Sequence, residues 1–171
     1  MKQRGVTLIQ MMFALAMAAL LTQLGMPAYA RLSDGLHRAA AARDLALALR
    51  SARSHAMLQS QPVLVRPLEN NWGKGWLVQL EHNQQVLREH RLTRPMRIVE
   101  NTKGQVKFGA VGMPVGQFGA TLEVCENAPA SNKYHQVVIS SAGRVDLRTV
   151  KEADSLCAGP RFRSASEPAA L

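Results

Sequence analysis

The sequence is poor in aromatic residues, at 5%, and it holds two cysteines and 12 acidic residues against 21 Lys and Arg. So few rings and this length allow one modest domain, and no internal repeat is visible. Cys125 and Cys157 allow one disulfide in an oxidising compartment, or two free thiols. No histidine stands at ligand spacing from either, so a metal site is not expected. His37, His55, His82, His90 and His135 are dispersed, and no paired-carboxylate, nucleophile-elbow or Gly-Lys-Ser/Thr phosphate-loop pattern occurs. Neither enzyme activity nor a cofactor is therefore expected. The shortage of acids leaves a net charge of +9, a balance that favours nucleic acid or anionic lipid as a partner.

Charge is missing altogether from Val6 to Ala30. A helix needs ~20 largely apolar residues to cross a bilayer, and Lys2 and Arg4 hold its N-terminal end in the cytoplasm by the positive-inside rule. Two readings compete. One is a secretory signal cut at Ala28-Tyr29-Ala30, but the apolar core outruns the usual ~7–15 residues and continues into a helical pattern. The other takes Lys2-Gln3-Arg4-Gly5-Val6-Thr7-Leu8-Ile9-Gln10 as the signal. That junction resembles the leader of type IV pilins and pseudopilins. The resemblance implies cleavage after Gly5 by the prepilin peptidase and N-methylation of Val6. It also implies a subunit-assembly role for the fifth mature position, Gln10, where the family usually has Glu. An intramembrane carboxylate would neutralise a neighbour's terminal amine. Gln10 keeps the hydrogen-bonding atoms without the charge, which suits a place at a filament tip, or simple tolerance.

From Arg31 to about Ser60, Leu32, Leu36, Ala39, Ala42, Ala46, Leu49, Ala52 and Ala56 recur at intervals of three and four. Arg31, Arg38, Arg43, Arg50 and Arg53 fall mostly on other faces, so the segment reads as an amphipathic helix. Gly25 and Pro27 are expected to interrupt the junction, since proline lacks an N–H and crowds the preceding turn. After Pro62 the pattern changes to short runs: Val63–Arg66, Gly75–Glu81, Val86–His90, Met96–Glu100, Gln105–Phe108, Ala120–Cys125, His135–Ser140 and Arg144–Arg148. Turn residues separate them at Asn70-Asn71, His82-Asn83, Asn101 to Gly104 and Ser141-Ala142-Gly143, which predicts antiparallel hairpins. Trp72 and Trp76 are expected in a glycine-containing loop, packing their rings over the helix end. Arg88, His90, Arg91, Arg94 and Arg97 form a basic cluster that reads as a charged edge strand.

The fold class is thus α+β, a long N-terminal helix laid on an antiparallel sheet head. The expected organisation is a leader at 1–5, a transmembrane helix at 6–29, its amphipathic continuation at 30–60, a β-rich head at 61–163 and a flexible tail at 164–171. Leu49-Arg50-Ser51-Ala52-Arg53-Ser54-His55-Ala56, Trp72-Gly73-Lys74-Gly75-Trp76 and Val137 to Val145 with Gly143-Arg144-Val145 together resemble the GspH/FimT family. The resemblance implies the type IV pilin-like fold and a minor pilin of a type IV pilus that contributes to assembly or tip structure, or alternatively a minor pseudopilin of type II secretion. It implies other minor and major pilins or pseudopilins as partners, a single pass through the inner membrane with a periplasmic head, and transfer to a filament. In FimT-type pilins a Gly-Arg-x-Arg element is associated with double-stranded DNA and natural transformation. Here Asp146 replaces the second arginine. The candidate DNA-binding residues are then Lys133, Arg144, Arg148, Lys151, Arg161 and Arg163.

Overall fold

The computed structural model describes residues 8–102, 104–116, 119–125, 134–151 and 155–158. One helix, α1 (Leu8–Gln59), precedes eight strands. Its chain falls into two compact units, Met1–His37 and Arg38–Leu171. In the first unit, the described residues are helical and carry exposed Leu8, Ile9, Met12, Phe13, Leu20 and Leu21. By length and composition this stretch is apolar enough to cross a membrane. The expected break at the junction is absent, because helix runs through Gly25 and Pro27. Proline removes one i→i−4 bond only, and the flanking bonds keep the turn.

In the second unit the helix is rich in alanine, which favours the conformation intrinsically, and free of glycine and proline, which oppose it. Ala42, Leu45, Ala46, Leu49, Ala52 and Ala56 are wholly or almost wholly buried and form its inner stripe. The helix stops at Ser60, whose φ of 50° is left-handed; Gln61 N–H then donates to the Ala56 carbonyl at 3.2 Å, and Pro62 prevents continuation.

Two four-stranded antiparallel sheets share the core with this stripe. The first has the order β3 (Val86–Arg91), β2 (Asn71–Leu80), β1 (Val63–Leu68), β5 (Val106–Phe108). The second runs β4 (Ile98–Glu100), β6 (Ala120–Val124), β7 (Tyr134–Ile139), β8 (Val145–Val150). Val63, Val65, Val78, Val106 and Phe108 from the first meet Leu122, Val137, Ile139 and Val145 from the second in one cluster with Leu45 and Leu49.

All eight expected strands are present, but β2 starts at Asn71, ahead of the expected Gly75. The β1–β2 turn is Glu69-Asn70, both at positive φ (51° and 58°), the twist that suits a tight hairpin. Register jumps from Pro67↔Trp76 to Leu68↔Asn71, so Trp72 to Gly75 form a wide bulge. Trp72 and Trp76 are therefore strand residues in the core, 3% and 1% exposed, and do not sit in a loop over the helix end. The glycines between them serve close approach. A Cβ on Gly73 would lie 1.8 Å from the Met96 carbonyl oxygen, and one on Gly75 2.1 Å from that of His90.

Candidate interaction surfaces

Register places Arg144, Asp146 and Arg148 on the face of the second sheet that points away from the helix, since Val145 and Leu147 point inward. Arg144 Nε donates to Asp146 at 2.9–3.0 Å, so the acid where a second arginine was expected neutralises the first. Arg148 is exposed opposite Gln136, and Lys151 is exposed beyond the end of β8. Lys133, Arg161, Arg163, Gly5 and Val6 lie outside the described residues, and Gln10 is exposed on α1. The expected basic patch thus contributes, among the described residues, one paired arginine and two exposed cations.

The other basic cluster divides. β3 is an edge strand, as expected. Arg91 is held by Glu89 at 2.7 Å, while His90 turns inward, stacking on Trp76 with centroids 4.6 Å apart and standing 3.9 Å from Asp44 of the helix.

Cys125 and Cys157 form a disulfide. It fastens a strap, Ser155 followed by a 3₁₀ turn at Leu156–Ala158, to β6. Beneath the strap lies Glu123, fully buried. Its carboxylate accepts hydrogen bonds from Gln136 Nε2 (2.7 Å), from the Leu156 N–H (2.7 Å) and from the Ser155 hydroxyl. Nothing in the sequence marks Glu123, because an acid on a half-covered strand normally faces water and its cover comes from a segment over thirty positions later.

Two of the helix arginines, which fall off the apolar stripe, tie the helix to the rest of the head. Arg50 places Nε and Nη2 on the Val145 carbonyl, at 3.1 and 3.0 Å, closing the start of edge strand β8. Arg53 donates to the Gly112 carbonyl at 3.0 Å and the Ala142 carbonyl at 3.3 Å. These bonds join the helix to the 140–144 hairpin and to the loop from Gly109 to Gly116. Gly143 and Gly112 meet backbone to backbone there, and a Cβ on Gly143 would stand 2.0 Å from the Gly112 oxygen. The loop is fixed further by Gly109 N–H to Met113 O (2.9 Å) and Val115 N–H to Lys107 O (2.9 Å). It nevertheless points Val111, Met113 and Val115 at solvent, 72%, 50% and 44% exposed, with exposed Met57 against Gly112. A rigid loop that keeps apolar side chains in water has the character of an interaction surface.

Two titratable groups line the inner face of the second sheet. Burial holds His135 below the ordinary imidazole value, and the positive charges of Arg38 and Arg43 add to it. Burial raises Glu100 above the usual carboxylate range, against a smaller pull from the Trp72 indole. Among the described residues no group of His, Cys, Asp or Glu is gathered to hold a metal ion.

The family model described as type II transport protein GspH matches residues 41–143, from where the helix becomes buried to the glycine of the last hairpin. The crystal structure of the Pseudomonas aeruginosa type IV minor pilin FimU is similar over 68% of this chain and 92% of that one, at 26% identity and a TM-score of 0.58. A second crystal form gives 27% identity and 0.56, over 64% and 90% of the two chains. The Vibrio cholerae minor pseudopilin EpsH of the type 2 secretion system matches over 63% and 92%, at 13% identity and 0.49. No curated protein sequence matches the chain. With the fold and a family model over most of the head in agreement, the chain belongs to the GspH/FimT family of minor pilins and pseudopilins.

Proposed function

We propose that this protein is a minor pilin of a type IV pilus, a structural subunit that enters the filament near its tip and performs no catalysis. The observation that carries this reading is the similarity to the minor pilin FimU across 92% of that chain. Gln10 supports the tip position, since a subunit without the intramembrane carboxylate forgoes one charge pairing with a neighbour. In this reading the apolar helix anchors the chain in the inner membrane until assembly, and the prepilin peptidase cuts after Gly5. The head meets other pilins through Met57, Leu58, Val111 and Met113, all exposed on a fixed frame.

The double substitution Val111→Asp and Met113→Asp tests this directly. The head should fold with unchanged thermal stability while recovery of the subunit in sheared pili falls; normal incorporation would remove the loop from the interface. A pseudopilin of type II secretion is the second reading, favoured by the description of the family model itself. Deleting the gene separates the two: loss of surface pili with normal protein secretion supports the pilus, and the reverse supports the secretion system. Binding of double-stranded DNA would rest on Arg148 and Lys151, with Arg144 held by Asp146.

A further inference from the structure

The strap and its buried carboxylate share one register. Glu123 and Cys125 stand two residues apart on the chain of β6, and Ser155 and Cys157 stand two residues apart in the strap. The polar clamp, Ser155 hydroxyl to Glu123, and the covalent clamp, Cys157 to Cys125, are therefore successive rungs of one ladder. Ser155 Oγ also accepts the Cys157 N–H at 3.0 Å, so the carboxylate is linked through one hydroxyl to the backbone of the cysteine itself. Leu156 N–H supplies a further bond to Glu123 at 2.7 Å. Every hydrogen-bond donor to Glu123 among the described residues is uncharged, and two of the three belong to the strap. A fully buried carboxylate leaves water at considerable cost, which only well-placed donors offset. Its placement here has no role in the apolar core, which lies on the other face of the sheet.

We propose that Glu123 is a positioning residue for the Cys125–Cys157 disulfide: by seating Ser155 and Leu156 on the outer face of β6, it brings the strap thiol to its partner before the bond closes. Closure joins positions 32 residues apart, and a segment already seated has less chain entropy left to lose. The oxidant is a disulfide-bearing donor. One cysteine thiolate attacks it and releases a donor thiolate; the second cysteine thiolate then displaces the remaining donor sulfur, so the pair gives up two electrons and two protons and the donor becomes two thiols.

The test is the equilibrium of the full-length protein, in detergent micelles, with reduced and oxidised glutathione. Ser155→Ala should lower the equilibrium constant for oxidation about fivefold, the loss of one hydrogen bond. Glu123→Gln, which keeps one acceptor oxygen, should lower it by a similar factor, Glu123→Ala by at least about tenfold, and Arg66→Ala, exposed on the other sheet, not at all. By reciprocity, Ser155→Ala should cost less thermal stability when Cys125 and Cys157 are both serine than in the oxidised protein. Wild-type equilibrium constants for Ser155→Ala and Glu123→Gln, with equal stability losses in both cysteine backgrounds, would overturn the proposal. These two conservative variants decide the matter even if Glu123→Ala does not fold.

Discussion

Single residues carry more of this fold than their chemistry advertises. Gly143 sits at φ 78° against the Gly112 oxygen, so Gly143→Ala adds both a left-handed strain and a contact no Cβ tolerates. We expect a loss of about 2 kcal/mol or more in urea unfolding, whereas Gly104→Ala, with open space around it, should show only the strain of its own φ. His135 gives a pH signature. Its folded-state value lies below the ordinary 6.5, so between the two values the unfolded chain binds more protons. Stability contributed by neutral His135 is therefore present above pH 6.5 and falls as the pH drops through that window. Unfolding midpoints at pH 7.5 and 5.5 should differ more in the wild type than in His135→Gln. Equal differences would mean that neither burial nor the helix arginines lower the value of this imidazole. Asp146 is a third such residue. Asp146→Asn should release Arg144 and steepen the salt dependence of any binding to double-stranded DNA by about one phosphate contact in a gel shift. An unchanged slope would show that this face does not meet the nucleic acid.

At the scale of elements, the arginine ties decide which parts unfold together. Arg53→Ala removes guanidinium bonds to Gly112 and Ala142, and charged donors of this kind contribute about 1.5–3 kcal/mol each when buried, less here because Arg53 is only partly covered. Hydrogen exchange should then quicken at Gly109, Gly112 and Gly143 while β1 and β2 stay protected. Uniform protection would contradict the tie. The strands were legible because alternation and turn residues are local: Val137, Ile139, Val145 and Leu147 announce an inward face, and Ser141-Ala142-Gly143 announces the reversal between them. Ala42, Ala46, Leu49, Ala52 and Ala56 likewise spelled out the buried stripe of α1, whereas the buried Leu45 was not among the expected positions and Leu32 and Leu36, which were, are exposed. The bulge at Trp72 to Gly75 was not legible, since its cause is the carbonyls of Met96 and His90, which only the fold brings near. The same holds for Arg50, Arg53 and Glu123. Each looks like a solvated charge until a distant hairpin, loop or strap covers it.

For the whole molecule, the account rests on division of labour along the chain. The first unit is an apolar helix whose described side chains have no core to enter, and the second is a head with a continuous core of its own. A helix with exposed Leu8, Phe13, Leu15 and Leu21 is stable only where something apolar covers it, either lipid or the helices of other subunits. In the proposed function both occur in turn, and the helix must survive processing to serve in either place. Mass spectrometry of the mature N-terminus tests that claim most directly. The account predicts a chain that begins at N-methylated Val6 and retains the full apolar helix. A mature chain beginning at Arg31, freely soluble and without the helix, would contradict it.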